Sequence, residues 1–141
     1  MTAGMGAEVK TKTIRQQVTF KGATPHDIYE WLMDSKKHSQ FTGQKAVISR
    51  KVGGKFKAGD GWIEGMNLEL VKDKLILQGW RGNDENWPKG YYSTVRFTFT
   101  KTKGGTKLNF LHSGVPKAAY KEIRDGWREY YWEPLKLALA K

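Results

Sequence analysis

The final stretch of the chain, Gly114 to Lys141, constrains the fold more than any other. Taking every third or fourth residue from Tyr120 gives Ile123, Trp127, Tyr130 or Tyr131, Pro134 and Leu137 or Ala138, while Lys121, Arg124, Asp125, Arg128 and Glu129 fall elsewhere. That spacing is one apolar stripe along a long helix. A stripe this rich in aromatic area has to be buried, so the helix must lie on a surface built by the rest of the chain. Gly126 removes a side chain beside Trp127, where another backbone can approach closely. Pro134 removes a backbone donor, and a bend in the helix is expected there.

The preceding sequence supplies that surface. Met1 to Lys12 has neither helical nor strand periodicity and reads as a disordered tail, leaving residues 13–141 as a single domain. Thr13 to Lys21 alternates Ile14, Gln16, Val18 and Phe20 against polar neighbours, a strand whose partner must come from far along the chain. Thr24-Pro25-His26-Asp27 is a helix start, with Thr24 as N-cap, Pro25 in the first helical position and Asp27 near the positive dipole end. That helix runs to about Met33 with Ile28, Trp31 and Leu32 on its buried face, and a second short one follows from Ser35 to Phe41 before Gly43. Strands are then expected at 46–51, 55–58, 62–71, 75–80, 91–101 and 107–113. The glycines at Gly53-Gly54, Gly59 and Gly61, and Gly104-Gly105 mark turns between them. They precede strands rather than helices and lack the Lys-Ser/Thr of a phosphate loop. The segment Gly82 to Gly90 is the expected mobile loop.

Short connections between successive strands imply an antiparallel meander, and helices at both ends imply an α+β fold with its helices on one face. The expected architecture is a curved antiparallel sheet of six to seven strands wrapped around the long C-terminal helix. Two short helices follow the first strand. A sheet curved in this way leaves a groove or cavity beneath the helix, where small ligands commonly bind.

Three segments carry a family resemblance: Val52 to Gly65 with its Gly53-Gly54-Lys55-Phe56 turn, Trp87 to Phe99, and Gly114-Val115-Pro116 followed by Gly126 to Leu135. Within the last, Gly126-Trp127, Tyr130-Tyr131-Trp132 is the most specific part. Together they resemble the activators of the Hsp90 chaperone ATPase (AHSA-type), specifically their C-terminal domain, over roughly residues 13–140. The resemblance implies the helix-grip fold of the START/SRPBCC superfamily, and a chaperone-linked or stress-related role with a heat-shock chaperone as partner. Full-length eukaryotic members also carry a separate N-terminal domain that this sequence does not include.

Enzymatic chemistry needs a constellation of reactive groups, and few candidates exist. His26, His38 and His112 have no carboxylate beside them at metal-ligand spacing, so no metal site and no cofactor is expected. His112 shares parity with Leu108 and Phe110 and should face the helix; Glu64 shares parity with Trp62 and Met66 and should face the same way. If both reach one cavity, a cyclase- or hydrolase-type acid/base pair is the alternative reading; the bland reading of His112 is a hydrogen-bonded core histidine. The stronger signal is aromatic. Trp62, Met66, Trp80, Tyr91, Phe97 and His112 on strands, with Trp127, Tyr130 and Tyr131 above them, are the candidate walls of a pocket for a small hydrophobic or amphipathic ligand. The same side chains also suit a solid aromatic core, and the sequence leaves both open.

Charge and composition narrow the partners. The 25 Lys and Arg against 14 Asp and Glu give a formal charge of +11, but the lysines are spread from Lys10 to Lys141 with no block of like charge. A solvated surface is expected rather than a specific nucleic-acid site. No run approaches the ~18–20 apolar residues of a membrane span, Met1 to Lys12 lacks a secretory h-region, and there is no cysteine; a cytoplasmic, non-enzymatic binding module is the reading these features favour.

Overall fold

The computed structural model describes residues 9–140; residues 1–8, most of the expected tail, lie outside the described residues. The first strand, β1 (Thr11–Lys21), begins two residues earlier than alternation suggested. It is followed by α1 (Pro25–Met33) and α2 (Ser35–Thr42), then β2 (Val47–Ile48), β3 (Lys55–Ala58), β4 (Ile63–Val71), β5 (Leu75–Gly82), β6 (Ser93–Thr102) and β7 (Gly105–Pro116). The C-terminal helix has three consecutive segments: α3 (Tyr120–Gly126), a π-wound stretch (Trp127–Trp132) and α4 (Glu133–Leu139). No helix among the described residues is long and apolar enough to cross a membrane.

The seven strands of the described residues form one antiparallel sheet in the order β1-β7-β6-β5-β4-β3-β2. The meander runs from β2 to β7 through hairpins, and β1 closes the far side against β7, with Ile14 opposite His112 and Val18 opposite Leu108. Alternation decides which face is which. In β6, Ser93, Val95, Phe97 and Phe99 are buried while their neighbours are less so; in β5, Ile76, Gln78 and Trp80 share that inner face. Both short helices and the C-terminal helix pack there, making a two-layer α+β domain with one core.

Local chemistry sets the helix ends. Thr24 and Asp27 form a reciprocal capping box, the Asp27 N–H donating to Thr24 Oγ1 at 3.1 Å and the Thr24 N–H to Asp27 Oδ2 at 2.9 Å. Asp34 then separates the helices by capping α2, its Oδ2 accepting from the Lys37 N–H at 2.9 Å. Trp31 is partly rather than fully buried, and Tyr29 and Met33 join Ile28 and Leu32 on the inner face of α1.

The π-wound segment changes the face the C-terminal helix presents. Pro134 has no N–H to offer the carbonyl of Tyr130, and the ladder departs from α geometry in the turn before it. With i→i+5 bonding, Trp127 and Trp132 lie one over the other, ring centroids 5.6 Å apart and planes 19° from parallel. Trp127, Tyr131 and Trp132 are therefore all buried, while Tyr130 is 58% exposed. On the sheet, Phe110 meets Trp127 at 4.5 Å and Trp132 at 5.1 Å, and Phe97 meets Phe110 at 5.3 Å. Trp132 also donates its Nε1–H to Gln16 Oε1 at 2.6 Å, and Gln16 Nε2 donates to Arg124 O at 3.1 Å, which ties β1 to the helix.

Candidate functional site

These aromatics fill the interior. Beneath the helix, between Phe97, Trp127, Tyr131 and the α1–α2 side, only about 20 Å³ remains, room for about one water. An aromatic-walled groove of about 400 Å³ lies at the mouth of the fold, between the C-terminal helix and the β3–β4 end of the sheet. A second of about 410 Å³, over β1, β6 and β7, is lined mainly by polar side chains, Arg15, Gln17, Arg96 and Asn109 among them. In the first groove the walls are distinct. Ile123, Trp127, Tyr130 and Tyr131 form the helix wall, with Glu122 at its edge. Trp62, Ile63 and Trp80 form the sheet wall, and Thr42 and Gln44 close one end.

The sheet wall depends on a distorted turn. After β3 the chain makes a short 3-10 turn, Gly59–Gly61, in which Asp60 adopts left-handed φ 57°, ψ 30°. Asp60 is held there from two sides: its Oδ1 accepts from the Lys45 N–H at 2.7 Å and its own N–H donates to Lys45 O at 3.2 Å. That pairing brings Gln44 beside Gly59. It also breaks the alternation, because Trp62 still has helical dihedrals (φ −69°, ψ −31°). Trp62 therefore turns inward and sits 6.1 Å from Trp80, whereas Glu64 and Met66, which share its parity, face the opposite side of the sheet.

This corrects two of the expected positions. Met66 is 41% exposed on the outer face, and Glu64 pairs there with Arg81, at 3.8 Å. Gly65 and Trp80, opposite each other between them, are the inner-face residues. His112 and Glu64 are thus on opposite faces and cannot act as a pair. Tyr91 lies before β6 rather than on it, and its hydroxyl donates to Gly114 O at 2.6 Å. Phe97 borders the small interior void, not the groove. Of the proposed ligand-binding residues, Trp62, Trp80, Trp127, Tyr130 and Tyr131 come together. Glu122, Ile123, Ile63, Gln44 and Thr42 are additions: Ile123 was visible as part of the stripe, the others had no local signal.

His112 is sealed beneath the groove floor at 0% exposure. An indole N–H only donates, so the Trp127 Nε1–H···Nδ1 bond at 3.0 Å fixes the tautomer. Nε2 carries the proton and donates to Ser93 Oγ at 2.7 Å, and Ser93 Oγ–H donates to Trp80 O at 2.7 Å. Burial pushes the imidazole down to about 3, so it is neutral at physiological pH. His38 is engaged in the same way: Nδ1–H donates to Leu32 O at 2.9 Å, and Nε2 accepts from the Tyr131 hydroxyl at 2.8 Å. Burial lowers the His38 pKa and raises that of Tyr131. Neither ring has a free nitrogen to offer a substrate.

The segment expected to be mobile is pinned. Arg81, on the outer face, donates from Nη1 to Pro88 O at 2.8 Å and Tyr91 O at 3.2 Å, from Nη2 to Trp87 O at 3.3 Å, and from Nε to Asn83 Oδ1 at 3.1 Å. Trp87 is buried against Trp80, ring centroids 5.5 Å apart.

Comparison with known proteins places this architecture. The family model described as Activator of Hsp90 ATPase homolog 1-like protein matches residues 22–140. The chain belongs to that family. Both walls of the groove fall inside the matched region. Among curated relatives, the human Activator of 90 kDa heat shock protein ATPase homolog 1 is 31% identical over 132 residues, which is 94% of this chain and 38% of the relative. The Dictyostelium discoideum homolog of the same name is 30% identical over 127 residues, 89% of this chain and 32% of the relative. The chain thus spans less than two fifths of the length of these family members. In structure, an HSP90 activator from Plasmodium falciparum superposes with a TM-score of 0.80 over 92% of this chain and 96% of that one, at 24% identity, which supports the helix-grip fold.

Proposed function

We propose that this family member is a non-enzymatic, cytoplasmic binding module that works with a heat-shock chaperone and holds a small hydrophobic or amphipathic ligand in the groove under its C-terminal helix. The groove carries the ligand reading: an aromatic-walled space of about 400 Å³ at the surface of a domain whose interior is otherwise filled. The engagement of both nitrogens of His38 and of His112 argues for holding rather than converting a ligand, since neither ring is free to move a proton. Family membership supports the chaperone partner, because the full-length relatives are named for activating the 90 kDa heat-shock protein ATPase.

Two measurements test the two halves. A fluorescent apolar dye should bind the wild type, and Gly126→Leu should abolish that binding without loss of thermal stability. A Cβ at Gly126 meets only Tyr130 Cδ2, at 3.7 Å, so the new side chain enters the groove rather than the core. Unchanged dye binding by a folded Gly126→Leu protein overturns the groove assignment. Calorimetric titration of the chain into an Hsp90-class chaperone should show binding, and heat no greater than that of dilution overturns the partner assignment.

A further inference from the structure

We infer that the groove selects a cationic amphiphile, a compound with an ammonium head on an apolar body. The inference rests on the groove being a ligand site, as proposed above. Its basis is a contrast between the groove and the rest of the molecule. The chain carries 25 Lys and Arg against 14 Asp and Glu, yet no Lys or Arg is among the described residues lining the groove, and the one charged side chain there is the carboxylate of Glu122. The ion pairs among the described residues use Asp73, Glu30, Glu64, Asp125 and Glu129. Glu122 is in none of them.

The aromatic walls point the same way. Trp62, Trp80, Trp127, Tyr130 and Tyr131 supply three indoles and two phenols. Successive rings are turned against each other, Trp62 to Trp80 by 77°, Trp80 to Trp127 by 42° and Trp127 to Tyr131 by 55°, with centroids 4.6–6.1 Å apart. They therefore wall the space from several directions. Ring faces carry negative quadrupole density, so an ammonium among them is attracted by more than one ring while its alkyl body covers apolar carbon. An anionic head would meet the opposite conditions. The Tyr131 hydroxyl is already donated to His38, the Trp127 indole N–H is donated to His112, and no cationic side chain is among the described lining residues. An anionic head would find only neutral donors, such as the Trp62 and Trp80 indoles, beside the Glu122 carboxylate. The positive surface beyond the groove is screened within about 10 Å at ordinary ionic strength, so the local lining decides the sign of the head.

An isosteric pair tests this directly. Benzyltrimethylammonium and neopentylbenzene have the same shape and differ only in a charged nitrogen in place of carbon; phenylacetate adds the opposite charge. Binding is read by NMR from the indole N–H signals of Trp62 and Trp80, which also localise it. Benzyltrimethylammonium is expected to bind at least about fivefold more tightly than neopentylbenzene, the size of a single cation–π contact at an exposed site, and phenylacetate not at all. Glu122→Gln should weaken the cation about threefold and leave neopentylbenzene unchanged, which a merely structural effect would not do. Equal binding of the isosteric pair, or tighter binding of phenylacetate, overturns the cationic assignment while leaving an apolar ligand site in place. Failure of all three probes to shift these signals overturns the ligand site as well. An N-acetyl-trimethyllysine amide distinguishes sources of the same chemistry: tighter binding than benzyltrimethylammonium assigns the head to a modified lysine of a partner, weaker binding to a free amphipathic amine, and both support the cationic site.

Discussion

Keeping His112 neutral inside the core makes the stability of the domain depend on pH by an amount that follows from its surroundings. The ring is fully buried, Nδ1 is occupied by the Trp127 N–H, and Nε2–H is used by Ser93. A second proton can enter only by expelling the indole N–H, and burial places the folded-state pKa at about 3, against 6.5 for a free histidine. Between those values the unfolded chain binds one proton more than the folded one. Unfolding free energy therefore falls as pH falls, by about 1.4 kcal/mol for each pH unit, and is flat above 6.5 and again below about 3. From the upper value to about pH 4.5, His112 alone removes about 2.7 kcal/mol; His38, shifted in the same direction by burial, adds to the loss. Urea unfolding followed by tryptophan fluorescence at pH 7 and about pH 4.5, for wild type and His112→Gln, isolates the His112 share as the difference between the two losses. The variant should lose about 2.7 kcal/mol less than wild type over this interval. NMR of the His112 ring nitrogens in the wild type provides a check that needs no variant, since their shifts should stay constant across it. Equal losses in the two proteins, or a His112 titration near 6.5, would refute the sealed, neutral ring.

Three further outcomes follow from individual contacts. Trp127→Phe leaves His112 Nδ1 without its donor and should cost about 2–4 kcal/mol, whereas Trp87→Phe, whose Nε1 has no partner among the described residues, should cost about 1–2 kcal/mol less; equal losses in chemical denaturation would show that the indole bond contributes nothing. Arg81→Met removes the bonds to Asn83, Trp87, Pro88 and Tyr91 and should speed amide exchange across residues 83–92 by at least about tenfold; unchanged exchange would mean that Trp87 burial alone holds the segment. In Gly65→Ala the new Cβ would fall 1.9 Å from Gly79 O and 2.7 Å from the Phe56 ring, so β4 must shift, and a loss of at least about 3 kcal/mol is expected; a thermal midpoint within a few degrees of wild type would contradict that packing.

Much of the fold was legible because its signals are local. The Thr24-Pro25-His26-Asp27 start became a complete capping box, Gly43 ends α2 at φ 73°, and the alternation of Val95, Phe97 and Phe99 put those residues inside. Glu64 and Met66 were misplaced for one reason: parity holds only while the strand is regular. The 3-10 turn at Gly59–Gly61 turns Trp62 inward and leaves Glu64 and Met66 outward, and the π-wound turn selects Tyr131 and Trp132 over Tyr130. A period of three or four residues could not find Trp132, because i and i+5 share a face only in the wider winding.

The same two irregularities explain why the space lies at the mouth of the fold rather than beneath the helix. The wider winding directs Trp127, Tyr131 and Trp132 into the interior together, and with Phe97, Phe110 and His112 they fill it. The groove opens beside that packing, where a residue without a side chain stands on each wall: Gly59 on the sheet side and Gly126 on the helix side. Gly59 has a conformational reason to be glycine, φ 57°. Gly126 has none, since its φ is −61° and a Cβ there would make only ordinary contact with Tyr130. A helical glycine costs about 1 kcal/mol relative to alanine. With no steric need for it, the open volume beside Trp127 is the physical consequence of that residue, and it makes Gly126 the position from which the groove is most directly closed by substitution.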